Sequence, residues 1–264
     1  MTHELPVPVD VRLMNLTTSL LVTALVLGCV IAGLWWAIRN PAFAFTQITV
    51  GGDTAHHSAA SLRAGVAPRL QGNFFTMDLA AAQAAFQSAP WVRRAQVQRE
   101  FPNQLHVTLQ EHEAVAYWGE GESRMINTHG EVFDAGGDEA PAQAMPMLSG
   151  PDGQAREVLA MHQLLSPLVV PLKAQISELA LLARGNWRAE LDQGAVIELG
   201  YGPAPELAAR LRQFVATVEE VAARHQRTVD SVEAADLRHV GGYALRLRGV
   251  STVRVAPPGQ PAKR

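Results

Sequence analysis

The sequence contains a single cysteine, Cys29, and everything after it is cysteine-free. A disulfide framework and a cysteine-rich zinc site are both excluded for the larger, C-terminal part of the chain. An excess of positive charge is also missing. Lys and Arg total 22 against 25 Asp and Glu, for a formal net charge of −3. With no run of Lys or Arg interleaved with aromatics, a nucleic-acid surface is excluded as well. The third absence is local. The 26 residues from Leu13 to Ile38 carry no charge at all. A hydrocarbon core about 30 Å thick needs ~20 helical residues, so this run is long enough to span with tilt or overhang.

What is present at the end of that run fits the same reading. Trp35 and Trp36 precede Arg39, the composition of an interfacial belt with a cation reaching back to the headgroups. A buried core helix of this length without a polar face is the weaker alternative. A cleaved signal peptide is another, because Ala42-Phe43-Ala44 imitates a cleavage site. The apolar run is too long for one, and Trp35, Trp36 and Arg39 intervene. Charge counting leaves orientation open, since Arg12 balances Arg39 and Glu4 and Asp10 lie on the short side.

Beyond residue 39 apolar residues remain frequent (48% of the whole chain), so a packed core is expected throughout. The fold class expected is α+β: one N-terminal transmembrane helix, a small sheet with two helices, then a larger antiparallel β domain carrying helices. The boundaries expected are a short tail at 1–12, the membrane helix at 13–38, a first domain at 45–114, a β domain at 115–250 and a disordered tail at 251–264.

In the first domain Phe45, Ile48 and Val50 open a strand ending at Gly51-Gly52. Ser58 or Ser61 would cap a helix carrying Leu62, Val66 and Leu70, and Asp78 would cap a second from Leu79 to Gln87. Ala95 and Val97, then Leu105, Val107 and Leu109, alternate with polar residues as two strands joined through Phe101-Pro102-Asn103-Gln104. In the β domain Met125-Ile126 and Val132-Phe133 flank a polar turn. Pro141 to Pro151 reads as a connection, and a helix is expected at 154–168. Strands are expected around Leu179, Trp187 and Val196, and an amphipathic helix at 205–224. There Leu207, Leu211, Phe214, Val218 and Val221 form the stripe, and Glu206, Arg210, Arg212 and Glu219 face water.

No constellation satisfies the requirements of a catalytic or metal motif. His112-Glu113 begins like a zinc-hydrolase motif, but Ala116 stands where the second histidine is needed. Ser149-Gly150 lacks the glycine of a nucleophile elbow, and Gly119-x-Gly121 and Gly200-x-Gly202 lack the rest of a dinucleotide fingerprint. Glu111 and Glu113, two apart on a strand, read as a charged outer face more readily than as a hydrolytic pair. No enzymatic activity, cofactor, metal or small-molecule substrate is expected.

The last alternating segment, Tyr243 to Leu247, suggests a different activity. A strand that ends a sheet leaves its N–H and C=O groups unpaired, and a partner strand can take them up. Tyr243, Leu245 and Leu247 would share one face and Ala244 and Arg246 the other. Gly242 and Ala244 let a backbone approach, while Arg238, beside His239, and Arg246 could meet partner carboxylates. The partner-binding candidates are therefore Arg238, His239, Gly242, Tyr243, Ala244, Leu245, Arg246 and Leu247.

Several segments together resemble the FtsQ/DivIB family of bacterial division proteins. They are Trp91-Val92, Phe101-Pro102-Asn103 with Leu105-x-Val107, Glu111 with Ala114, Ala116 and Trp118, and Asn127-x-x-Gly130-Glu131-Val132-Phe133. Met147-x-x-Gly150-Pro151, Gly194-x-x-Ile197-x-Leu199-Gly200 and Asp236-Leu237-Arg238 follow in register. The sequence departs from the family pattern at His239, where an aromatic is common, and at Tyr201, where a cation is common. The resemblance implies that the first domain is a POTRA domain. It implies a single-pass inner-membrane protein, N-terminus cytoplasmic and bulk periplasmic, at the division septum. It further implies binding to FtsB and FtsL and to other divisome proteins, without catalysis. The alternatives are a membrane-anchored periplasmic enzyme and a POTRA-containing envelope assembly factor.

Overall fold

The charge-free run forms one unbroken helix, α1 (Val9–Arg39), whose large side chains from Leu13 to Trp36 are exposed along its length. It is long and apolar enough to cross a membrane. The computed structural model describes residues 9–53, 55–56, 59–121, 123–136, 145–239 and 241–250. The expected tail at 251–264, most of that at 1–12, and Ser58 lie outside the described residues. The chain divides into two compact units, Met1–Glu111 and His112–Arg264.

In the first unit α1 is followed by β1 (Gln47–Gly52), α2 (Ala59–Val66), α3 (Leu79–Gln87), β2 (Val92–Glu100) and β3 (Gln104–Glu111). The strand order is β1-β3-β2, with β1 parallel and β2 antiparallel to β3. Parallel pairing of β1 with β3 follows from the two helices and β2 that intervene, since a tight turn cannot connect parallel neighbours. The period-two residues Ala95, Val97, Leu105, Val107 and Leu109 point to one face and bury Leu62, Val66, Ala82 and Phe86 of the helices. Asp78 accepts from the Ala80 and Ala81 amides and so caps α3. Ser61 lies within α2 instead of ahead of it.

The second unit contains β4 (Ala114–Trp118), β5 (Arg124–Asn127), β6 (Val132–Asp134), β7 (Met147–Ser149), α4 (Ala155–Val169), β8 (Ile176–Leu181), β9 (Trp187–Leu191), β10 (Val196–Gly200), α5 (Ala204–Arg224), β11 (Val232–Asp236) and β12 (Ala244–Leu247). They form one nine-stranded sheet in the order β12-β11-β10-β9-β8-β7-β4-β5-β6. The α+β class stands, but the sheet is mixed where an antiparallel one was expected. β4–β7, β7–β8 and β10–β11 pair in parallel. Each of these pairs is joined by a long connection, through α4, through α5, or through the β5–β6 hairpin, and such crossovers return the chain in the same direction. The segment read as a mere connection supplies β7, held between β4 and β8.

α4 and α5 cover one face of this sheet. Leu207, Leu211, Phe214 and Val218 are buried against Ile197, Leu199, Ala235, Leu237 and Leu247, as the helical stripe requires. Arg210 departs from the expected wet face. Its guanidinium donates to the carbonyls of Leu199 and Tyr201 at 2.9 and 3.2 Å, tying α5 to the end of β10.

Candidate partner-binding site

β12 stands at one end of the nine-stranded order, paired with β11 alone among the described residues. Which of its backbone groups face outward follows from two hydrogen bonds. The Leu237 amide donates to Glu198 O of β10, so Leu237 and Ala235 point toward β10 and Asp236 and Ala234 toward β12. Their partners across the antiparallel ladder are Ala244 and Arg246. The Arg248 amide donates to Ser231 O, which places even-numbered amides on the β11 side from the other end. Leu245 and Leu247 therefore aim their N–H and C=O groups away from the sheet, and of these the Leu247 carbonyl already accepts from the Val250 amide at 3.2 Å. The N–H and C=O of Leu245 and the N–H of Leu247 are the pairing groups β12 offers to another strand.

Side chains divide as the alternation requires. Tyr243 and Leu245 pack against the domain's own core and Leu247 is buried in it, while Ala244 and Arg246 are exposed. The Tyr243 ring meets Phe214 edge-on at 5.1 Å, and its hydroxyl pairs with Thr217 Oγ1 of α5 at 2.9 Å. Tyr243 thus fixes β12 to α5 and presents little of itself to a partner. Gly242 and His239 lie in the exposed loop ahead of β12. Sequence reasoning missed Phe214 and Thr217 as the support of this strand, because helical periodicity marks core residues without saying which strand they meet.

Arg238 is exposed but held. Its guanidinium donates to both carboxylate oxygens of Asp236, at 2.8 and 2.6 Å. That hydrogen bond draws the Asp236 carboxyl down to about 2 from its ordinary 3.8. A depressed carboxyl contributes where it is ionised, so the clamp is complete above about pH 4 and is lost as the pH falls toward 2. Gly200 makes room for the arginine: a Cβ there would lie 2.7 Å from Arg238 Cγ, and its φ is +83°. Gly200→Ala is expected to displace Arg238, raise the Asp236 carboxyl toward its ordinary value by NMR titration, and cost about 1 kcal/mol for the left-handed backbone. Beside the clamp, Glu206, Arg210, Gln213, Arg238, Gly242 and Tyr243 line a cleft of about 240 Å³ between α5 and the loop entering β12.

A larger cleft of about 790 Å³ lies by the start of α4, with Trp118, Arg124, Asp152, Arg156 and Glu157 on its walls. Its charged lining residues are two arginines and two carboxylates, and it includes no Ser, Thr, Cys, His or Lys. Among the described residues no three His, Cys, Asp or Glu side chains are grouped to hold a metal. Glu111 and Glu113 do not share a strand face. Glu111 ends β3 buried, accepting from the His56 amide and paired with His56 Nδ1 at 3.0 Å, while Glu113 lies exposed beyond the strand. At the far end of α1, Trp35 and Trp36 are exposed, and the Arg39 guanidinium lies 4.3 Å from the centre of the Trp35 ring.

Comparison with known proteins matches this architecture in both units. Residues 43–112 match the POTRA domain, FtsQ-type, and residues 116–238 match cell division protein FtsQ/DivIB, C-terminal. The chain is 39% identical to cell division protein FtsQ of Burkholderia pseudomallei over 91% of its own length and 94% of the relative's. It is 39% identical to that of Thiomonas arsenitoxydans, over 92% and 90% of the two chains. For that of Bordetella pertussis the figures are 36%, 90% and 92%. Identity at this level along nearly the full length of both partners, in a chain with a POTRA unit followed by the FtsQ/DivIB unit, establishes that the protein belongs to the FtsQ/DivIB family of cell division proteins.

Proposed function

We propose that this protein is a non-catalytic scaffold of the division machinery that recruits a partner by adding the partner's strand to β12. α1 anchors it in the inner membrane, with the N-terminus cytoplasmic and both folded units periplasmic at the septum. The partner strand comes from the C-terminal periplasmic segment of FtsB, and FtsL joins as the third member of the complex. The observation that carries this reading is the outward aim of the Leu245 N–H and C=O and of the Leu247 N–H.

The surroundings support it. The exposed Ala244 leaves space for an approaching backbone, and the cleft beside α5 can seat the residues that precede the added strand. Arg238 lines the cleft with its orientation set by Asp236, which takes its Nε and Nη2 and leaves Nη1 to meet a partner carboxylate. Such a contact adds orientation and selectivity more than affinity. Main-chain pairing supplies affinity in strand addition, and side-chain pockets supply specificity.

Depleting the protein from growing cells is expected to give long, undivided filaments, and the purified full-length chain is expected to retain FtsB in a pull-down. Cells that keep dividing at normal length would overturn the division reading. Retention of FtsB unaffected by changes at β12 would overturn the site.

A further inference from the structure

Three segments that carry no charged residue meet where α1 ends: Asn40 to Gly52, Leu70 to Met77, and Phe101 to Leu105. Their meeting is fixed by hydrogen bonds. The Asn73 side-chain amide donates to Ile38 O, satisfying one of the carbonyls that the last turn of α1 leaves without a helical partner. The Phe74 amide donates to Phe43 O at 2.9 Å, and the Thr46 amide to Asn103 O at 3.0 Å. Asn73 in turn accepts from the Phe75 and Thr76 amides, which locks the loop that carries the aromatics.

This frame assembles an aromatic patch. Phe75 packs edge-on against Phe43 at 5.0 Å and against Phe74 at 5.3 Å, and Phe74 packs against Phe101 at 5.8 Å. Two of these rings are left facing outward: Phe75 is 50% exposed and Phe101 72% exposed. An exposed aromatic cluster framed by neutral polar residues is an interaction surface. Its position says with what. The patch is tied to Ile38, one residue before Arg39 and two after Trp36, which mark the interface at that end of α1.

We propose that Phe75 and Phe101, backed by Phe43 and Phe74, insert into the headgroup–acyl boundary of the bilayer that α1 crosses. The patch would then be a second membrane contact that seats the first unit on the lipid surface. Insertion of apolar rings at that depth removes them from water without burying a charge, because none of the three segments has one to bury. The Asn73–Ile38 bond holds the loop at the helix end, so little extra ordering is needed to seat it.

The inference rests on α1 spanning the membrane, and the experiment separates the two. In a Cys29→Ser background, nitroxide labels are placed on the full-length protein in phosphatidylethanolamine–phosphatidylglycerol vesicles through Phe75→Cys, Phe101→Cys, Leu25→Cys and Gln110→Cys. Gln110 is exposed near the opposite end of β3 from Phe101. Oxygen, which concentrates in lipid, and a nickel chelate, which stays in water, then compete to relax each label. The labels at 75 and 101 are expected to be several-fold more accessible to oxygen than to the chelate, with the label at 110 the reverse. If the label at 25 is lipid-exposed while those at 75 and 101 behave like that at 110, the inference is wrong although α1 spans. If the label at 25 is also water-exposed, the spanning reading fails first. Labels at 75 and 101 that are immobilised and shielded from both reagents, more so at higher protein density, would mean a second copy covers the patch, which also overturns the proposal.

Discussion

Leu245→Pro is expected to weaken capture of the partner strand by about tenfold or more, with the second unit still folded. Proline removes the amide at the position that faces outward, and its ring stands where the incoming backbone must come within hydrogen-bonding distance. Loss of one main-chain bond is worth about 1 kcal/mol and the poorer approach of the partner adds to it, and ~1.4 kcal/mol corresponds to tenfold in affinity. Arg246→Pro is the informative contrast. The Arg246 amide faces β11, opposite Ala234, so its removal breaks a bond inside the domain and is expected to loosen β12 itself. Titration of FtsB segment against each variant, with circular dichroism to confirm folding, checks the pair. Equal affinity of Leu245→Pro and the parent chain would contradict the outward assignment.

Asn127→Ala is expected to be the most damaging single polar change in the second unit, costing about 2–4 kcal/mol. Asn127 is fully buried between β5 and β6. Its Oδ1 accepts from the amides of His129 and Glu131, both at 2.9 Å. Its Nδ2 lies 2.8 Å from Glu131 Oε2 and 2.8 Å from His112 Nδ1. Truncation removes the Asn127 partner of two backbone donors and two side-chain groups at once and leaves a gap at a fully buried position. The turn they build also carries Gly130, where a Cβ would lie 2.9 Å from the Arg156 backbone. A fall in the urea midpoint of the second unit without a change in slope checks the prediction, and an unchanged midpoint contradicts it.

Elements defined by local chemistry were legible in the sequence. The charge-free run gave α1, Asp78 marked the start of α3, and the stripe from Leu207 to Val218 gave α5. What depends on distant partners was not. Met147–Ser149 is only three residues long, with Pro146 before it and Gly150-Pro151 after it, so neither length nor alternation identifies a strand. It is a strand because β4 and β8 supply hydrogen bonds on both sides. Glu111 looked like a solvated charge because its pairing partner, His56, lies 55 residues away in sequence.

The candidate site shows the same division. The alternation from Tyr243 to Leu247 located β12 and its two faces. It did not show that Tyr243 reaches Thr217, that Asp236 clamps Arg238, or that Gly200 must lack a side chain beneath it. Those are contacts between elements, and a period along one segment carries no information about its neighbours in space. The positive φ of Gly200 is equally silent in sequence, since glycine occurs for several unrelated reasons.

Residue-resolved amide exchange on β12, with and without the FtsB segment, tests the central claim most directly. In the chain alone, the amides of Ala244 and Arg246 should be protected by β11, and those of Leu245 and Leu247 should exchange freely. On addition of the segment, Leu245 and Leu247 should gain protection while Ala244 and Arg246 change little. A complex that forms with Leu245 and Leu247 still exchanging freely would contradict strand addition at this edge.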